Sequence, residues 1–447
     1  MSLFSESESS IRYLMPSLFK FLKSDKNIFQ SIVNSIQPYD EPNYWSFTGT
    51  INSKFIENDG KQFLKKSSGF SFFDRDEAIA KCILEGIERC SNAVFRKEFV
   101  DYVGTYTDTD IKKQAIDIHS FAAFSRKQLK NESFKRFQIS DSSKISWCYC
   151  TEINSNKKYL VPCQYIYLSY PFNNDEANLY PTISTGVAIG SSLSGALLRA
   201  AYEIIERDAY IIHYLNKLAG KNIDLYSIKD KRTRYLIKKA NRYKIEIYSI
   251  DIRTDNDIPV VVSIVIDKTG IGKAVSVGLR ADFDIIEAIC GSLNEAFHNR
   301  GWSRHQYQLL GKRINAKKLL LESSVENRGL YWYETKMINK LDFWLNQKRV
   351  PINTNGHLTL ETGKLLETLV SRIKSKGYNI YWKDITLPEF KSFSLYAVKV
   401  IIPEYQPIYL NENYPLLGGK RLYEIPVELG YKRRNEKQLN LIPHPFL

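Results

Sequence analysis

Two glutamates three residues apart, with an arginine directly after them, occur twice in this chain: Glu85, Glu88 and Arg89, then Glu203, Glu206 and Arg207. On a helix that spacing sends both carboxylates out of one face. Carboxylates so placed can hold Mg2+, which takes oxygen ligands and bridges to phosphate. A basic residue stands four positions before each first glutamate, Lys81 before Glu85 and Arg199 before Glu203. A third stretch, 278–300, carries Glu295 where Glu85 and Glu203 fall and His298 where Glu88 and Glu206 fall. His298 in this register is a candidate phosphate or metal contact; taken alone it reads as a packing histidine. The whole pattern also has a plainer reading, a solvated helix laced by pairs such as Arg199–Glu203 or Glu203–Arg207.

The elements that must position these side chains repeat as well. Residues 184–210 read STGVAIGSSLSGALLRAAYEIIERDAY. Gly186 and Gly190 permit a sharp backbone path and a close approach to a ligand. Ser191 and Ser192 stand where helix N-caps belong, and the free N–H groups of a helix start attract anions. Leu193, Ala196, Leu197, Ala200, Ile204 and Ile205 then recur at helical spacing. Residues 67–91, SSGFSFFDRDEAIAKCILEGIERCS, repeat the device. Gly69 reads as a turn, Asp74 and Glu77 have capping-box spacing, and Ile79, Ile83, Ile87 and Cys90 form the stripe. In 278–300, GLRADFDIIEAICGSLNEAFHNR, the stripe is Ile285, Ala288, Ile289 and Leu293.

Elsewhere the pattern predicts helices over 11–22, 108–131, 223–243 and 360–376. Strands are predicted over 44–51, 145–151, 159–170, 245–251, 260–267, 275–278, 379–383 and 393–402. Residues 318–344, rich in aromatics and charge, receive no assignment. The charged run 432–437 reads as solvated. The chain then ends LNLIPHPFL. Pro443 and Pro445 forbid helix and favour an extended path. An apolar, stiff terminus after a charged run looks made to dock, since frayed tails are polar.

The chain has 447 residues, 43% hydrophobic and 25% charged, with a formal net charge of +14. Composition is that of a globular protein, and the length calls for more than one structural module. The cationic residues are spread along the chain with no zinc-finger spacing or RNA-binding signature, so nucleic acid is not an expected partner. Six cysteines make no disulfide scaffold. Cys82, Cys90 and Cys290 fall on predicted helices as small hydrophobes, and Cys148 and Cys150 share one face of a strand. The polar, acidic start MSLFSESESS is no signal peptide, and no apolar run spans a bilayer, so a soluble, reducing, cytoplasmic setting is expected.

Three such helices and this terminus resemble the YcaO family over about residues 67–447. The stretches 184–209 and 278–300 resemble the family's second and third helical blocks. PLLGGKRLYEIPVELGY at 415–431 and the PHPF end resemble its azoline-forming branch. The resemblance implies an α+β, ATP-binding fold of repeated strand–turn–helix units, with helices on mostly antiparallel sheets. It makes residues 61–447 the YcaO domain, with 1–60 an extension or its first strands. Glu85, Glu88, Glu203, Glu206 and Glu295 would hold Mg2+ and the ATP phosphates. Arg207 would contact phosphate, and Ser191 falls at a phosphate-side position. Lys81, Arg89, Arg199 and Arg207 would balance the remaining charge, with His298 a further contact. Lys81, Gly195, His298 and Leu447 depart from residues common in the family.

The activity implied is ATP-dependent conversion of Cys, Ser or Thr of a ribosomal precursor peptide into thiazoline or oxazoline rings. His444, Pro445, Phe446 and the Leu447 carboxylate would lie near the γ-phosphate. The resemblance further implies a leader-binding partner of ubiquitin-activating-enzyme-like fold, a flavin-dependent dehydrogenase and a homodimer. Two rivals stand beside it: thioamide formation with the same ATP site, and a scaffold that has lost its chemistry. A P-loop kinase or ligase is excluded by the lack of either glycine-rich motif.

Overall fold

A computed structural model of the chain describes residues 6–52, 65–172, 175–179, 181–311, 315–352 and 360–447. Its strands are β1 (Phe29–Asn34), β2 (Trp45–Ile51), β3 (Lys66–Ser71), β4 (Tyr102–Thr105), β5 (Lys144–Glu152), β6 (Lys158–Pro162), β7 (Val187–Gly190), β8 (Lys221–Asn222), β9 (Glu246–Asp251), β10 (Val260–Ile266), β11 (Val275–Ala281), β12 (Tyr381–Asp384) and β13 (Tyr396–Ile401). They form three antiparallel sheets ordered β1-β2-β3, β11-β10-β9-β8 and β4-β5-β12-β13-β7, with β6 on β5. The three glutamate-bearing segments are helices Arg75–Ala93, Leu193–Asn216 and Ile285–Leu310. The first packs on β3, the second on β13, β7 and β11, and the third on the other face of β10 and β11.

Residues 260–266, VVVSIVI, show why the middle layers stack this way. A strand with no polar face must be covered on both sides. Val260, Val262, Ile264 and Ile266 join the core under helix Leu193–Asn216. Val261 and Val265 join the core under helix Ile285–Leu310. Ser263, on that second face, is satisfied by the Ser249 and Ser292 hydroxyls at 2.7 Å each.

Gly69, expected to open the first unit as a turn, lies inside a strand instead, and Gly278, expected to end a strand, lies in the middle of one. A Cβ on Gly69 in β3 would stand 2.1 Å from the Ala78 carbonyl oxygen and 2.2 Å from Cys82 N. One on Gly278 in β11 would stand 2.2 Å from the Ser292 oxygen and 2.4 Å from Ala296 N. These glycines bring helix backbone against strand backbone. Gly186 does make a turn, at φ +85. The helix starts are capped by Asp74, Ser192 and Asp284 side chains. Ser192, rather than Ser191, accepts from Gly195 N at 3.1 Å.

Other expectations needed correction. The helix expected over 108–131 reduces to Thr109–Lys112 and 3-10 turns at Ile118–Ser120 and Gln128–Lys130. Asp117, Ser125 and Gln128 side chains take up local backbone N–H groups. Bonds between Gln114, Ile116 and Leu160 also tie the segment to β6. The strand expected over 159–170 stops at Pro162, which cannot donate to a ladder. The basic helix expected from residue 223 begins at Lys231, where Asp230 caps it through Thr233 N. Residues 318–344 turn out helical, mainly as Val325–Tyr331 and the 3-10 turn Thr335–Leu341.

All six cysteines are free and buried. Among the described residues no helix is long and apolar enough to cross a membrane. Because the two nearest atoms facing Gly278 belong to backbone, Gly278→Ala forces the whole helix outward. It should destabilise the protein by about 1–3 kcal/mol in urea unfolding. A change below about 0.5 kcal/mol would mean that the close approach is not real.

Candidate active site

Each sheet ends in a strand with a free edge: β3, β7 and β11. The N–H groups along such an edge need acceptors when they are buried. On β3 and β11 a glutamate from the following helix supplies one, and at β7 the corresponding glutamate serves Gly186, the residue just before the strand. Glu85 accepts from Ser68 N at 2.7 Å, 17 residues back. Glu203 accepts from Gly186 N at 2.9 Å, again 17 residues back. Glu295 accepts from Leu279 N at 2.6 Å, 16 residues back. Glu85, Glu203 and Glu295 thus each reach back to a backbone N–H 16 or 17 residues earlier. Glu206 adds a cross-link, accepting at 2.8 Å from Ala281 N, two residues beyond Leu279 on the same edge.

Cations interleave with these carboxylates. Arg207 donates to Glu203 and to Glu206, each at 3.4 Å. Arg89 pairs with Glu85 at 2.6 Å. Arg199 donates instead to the Ile189 carbonyl at 2.8 Å, so the Arg199–Glu203 pair of the plainer reading does not form. Lys81, expected beside Glu85, turns back one turn to Glu77 and lies 5.8 Å over the Phe70 ring. His298 stacks on that same ring at 4.0 Å, with Tyr44 edge-on, while its Nδ1 is buried without a hydrogen-bond partner among the described residues. Ser191 is exposed next to the capping Ser192.

Two site residues had no place in the sequence reading, Lys399 and Arg280. Lys399, on β13, is 3% exposed and donates to the Ile183 and Thr185 carbonyls at 3.2 and 2.6 Å. Its charge acts on Glu203 and Glu88. The available signal was a lone lysine within the apolar run 397–402. Arg280 is half-buried between the strand's two glutamate-bound N–H groups, and its charge acts on Glu206 and Asp282.

Burial sets the electrostatics of the cluster. It raises Glu295 to about 7, with Arg207 opposing and Glu206 reinforcing. It raises Glu88 far above the usual carboxylate range, and the like charges of Glu203 and Glu85 add to it. Glu203 is raised for the same reason, against Arg207 and the Gly186 N–H. Burial lowers Lys399 to about 8 and, with Arg280 nearby, Arg199 to about 10. It also holds His298 down to about 4, a neutral ring at physiological pH. Burial opposes the charge of Arg207, yet Glu203, Glu206 and Glu295 outweigh it and hold Arg207 protonated.

The C-terminal tail enters the same region. Residues 443–446 are buried, and the Phe446 ring lies 4.3 Å from the Arg207 guanidinium. The tail is held by Trp332 and Tyr214, which both donate to the Pro443 carbonyl, at 2.9 and 3.2 Å. Arg328 donates to the Phe446 carbonyl at 3.3 Å and to Glu412 at 2.6 Å. His444 is fully buried among the rings of Tyr210, Tyr214 and Tyr409, with Nε2 on the Tyr409 carbonyl. Burial and the nearby Arg328 keep it neutral, so its place in the fold is that of an anchor. Phe446, not His444, is the tail residue in contact with the cluster.

Cations suit this donor set. Glu88 has no hydrogen-bond partner among the described residues, and the raised carboxyls lack enough positive charge to stay ionised. Among the described residues no three acidic, imidazole or thiol groups converge to enclose one ion. Mg2+ on a nucleotide needs only one or two carboxylates, its shell being completed by phosphate and water.

Residues 72–406 match the family described as YcaO cyclodehydratase, ATP- and Mg2+-binding. Among solved structures, a heterocyclase in complex with substrate and cofactor superposes with a TM-score of 0.79 at 20% identity, covering 97% of this chain and 57% of that one. YcaO from Methanopyrus kandleri, bound with AMPPCP and Mg2+, gives 0.63 at 14% identity, covering 93% and 95%. One chain of the E. coli microcin synthetase McbBCD complex gives 0.59 at 14% identity, covering 84% and 88%. The chain thus spans little more than half the length of the heterocyclase.

The raised carboxyls fix a pH dependence. Glu295 titrates near 7 in the folded chain against an ordinary 4.5, so the fold favours its protonated form. That stabilisation is complete below pH 4.5 and is lost as pH rises through about 7. Stability in the absence of nucleotide should therefore fall across this window, and Glu295→Gln should flatten the slope in urea midpoints measured against pH. Glu88 and Glu203 act in the same direction, so some slope persists. An unchanged slope in Glu295→Gln would show that this carboxyl is not buried as described.

Proposed function

The chain belongs to the YcaO family, described as ATP- and Mg2+-binding, and we propose that it is a cyclodehydratase acting on a ribosomal precursor peptide. In this reaction a Cys, Ser or Thr side chain adds to the carbonyl carbon of the preceding amide, closing a five-membered ring and placing negative charge on the former carbonyl oxygen. That oxygen takes the γ-phosphoryl group of ATP, releasing ADP. Loss of phosphate, with the ring nitrogen's proton, leaves the C=N bond of the azoline. Mg2+, when bound, neutralises charge on the phosphates and on the transferring group.

The chain's own residues serve that chemistry as follows. Glu85, Glu203 and Glu295 are fixed by backbone N–H groups and so offer their remaining oxygens in set directions. Glu88 and Glu206 complete the metal and phosphate site. Arg207, braced between Glu203 and Glu206, faces the transferring phosphoryl group, and Arg199, Arg280 and Lys399 supply further positive charge. Arg89 and Lys81 are spent on Glu85 and Glu77, and His298 on Phe70, which leaves them a supporting part. Ser191, at the exposed entry to the second helix, is a phosphate-side group. The Pro443–Leu447 tail orders the reacting peptide beside Arg207. The observation that carries this reading is the Phe446 ring on Arg207, which brings the terminus to the glutamate cluster.

The E. coli microcin synthetase is a McbBCD complex, also seen with pro-MccB17 bound. By analogy the present chain works with partner proteins: a leader-binding protein of ubiquitin-activating-enzyme-like fold, a flavin-dependent dehydrogenase and a second copy of itself.

Mass spectrometry of a precursor peptide tests the reading. Each ring should remove one water, consume one ATP and require Mg2+. Exchange of oxygen for sulfur would instead identify thioamide formation, and lack of Mg·ATP binding would identify a scaffold. Removing residues 443–447 should abolish ring formation while Mg·ATP binding, followed by calorimetry, persists. Glu203→Gln should lower the rate by about 100-fold or more. Ring formation at an undiminished rate without the tail would refute the role given to it.

A further inference from the structure

We propose that an open basic cleft, remote in sequence from the glutamate cluster, is a docking site for an acidic peptide segment. The cleft lies between residues 124–127 and 417–438 and has a volume of about 660 Å3. Arg126, Lys127, Arg433 and Arg434 line it, and Glu436 is the sole acidic lining residue among those described. Glu436 is already engaged by Lys127 at 3.6 Å. Arg434 holds the Gln438 carbonyl at 3.2 Å, whereas Arg126 and Arg433 make no ion pair with any described residue. Two unneutralised guanidinium groups therefore face one concavity, and guanidinium pairs well with carboxylate in two-point geometry.

The walls are fixed rather than loose. Gly418 N donates to the Ala123 carbonyl at 2.7 Å, and Gln128 bridges to the Pro415 carbonyl at 2.7 Å. Tyr423 and apolar floor residues give the stems of bound side chains something to cover. The lining cations come from two irregular segments and do not run as a stripe along a helix or sheet, which favours a short peptide over nucleic acid. A concavity of this volume holds an extended stretch of chain, not a folded domain. The run 432–437, read from sequence as merely solvated, thus forms one wall of a site. It leads through Leu439 straight into the buried tail, so a peptide docked here sits at the tail's root. The assignment does not depend on the chemistry at the glutamate cluster.

Fluorescence anisotropy of the full chain with a short glutamate-rich peptide tests it, using the same peptide with glutamine for glutamate as control. The acidic peptide should bind and the control should not. Arg126→Glu with Arg433→Glu should weaken binding by about tenfold or more, while reversal of Lys374 and Lys376, which lie outside the cleft, should change it by less than about twofold. Circular dichroism and Mg·ATP calorimetry on each variant establish that it is folded. Equal losses in both reversals would reduce the binding to the chain's overall positive charge and overturn the proposal. So would failure of the acidic peptide to bind, or its displacement by RNA at lower concentration than by unlabelled peptide.

Discussion

The outer strand of a sheet leaves backbone N–H groups without partners, and a buried one must find an acceptor. Here three sheets turn such edges, β3, β7 and β11, toward one region. The helix that follows supplies a carboxylate each time, to the edge itself in β3 and β11 and to Gly186 just before β7. Much of the remaining architecture serves this constraint. Gly69 and Gly278 bring helix and strand close enough for a glutamate to reach back. The doubly covered β10 holds the second and third helices on opposite faces of a single sheet.

The solution has an electrostatic consequence. Carboxylates that satisfy backbone edges are thereby taken out of water, and they repel one another. Arg207 offsets part of this, yet Glu295 remains near 7 and Glu88 well above its usual range. A cluster in that condition favours binding partners that bring positive charge. Mg2+ carried on a triphosphate would meet the demand, with the same oxygens available to hold it. Stability of the empty site and affinity for the nucleotide are thus opposed, as expected where function sets the charge distribution.

The terminus is built with comparable care. Arg328, without solvent contact, spends its guanidinium on Glu412 and on the Tyr409, Leu410 and Phe446 carbonyls. Trp332 and Tyr214 share the Pro443 carbonyl. These are costly groups to bury, and their common effect is to press the Phe446 ring on Arg207. A tail held only by hydrophobic contact would slide; carbonyl-directed donors fix its register.

The repeated E-x-x-E-R spacing, the stripes that made three helices and the stiff apolar ending were legible in the sequence, because they follow from local periodicity and from proline geometry. The run 260–266 was equally legible as a strand. Other features were not. The segment 108–131 has helical composition, but turns capped by Asp117 and Ser125 and its ties to Leu160 overrode it. Gly69 reads as a turn because a one-dimensional pattern does not reveal a helix whose backbone leaves no room for a Cβ on the strand. Lys81 stands four residues before Glu85 in sequence, while its geometry favours Glu77. Lys399 and Arg280 come from strands whose neighbours in the cleft lie far away in sequence. What the sequence determined by itself was which residues could bear charge and on which face of which helix. Only the tertiary structure decided which sheet edges those charges satisfy, which cations stand between them and where the tail comes to rest, because each depends on backbone groups from distant segments meeting at hydrogen-bond distance.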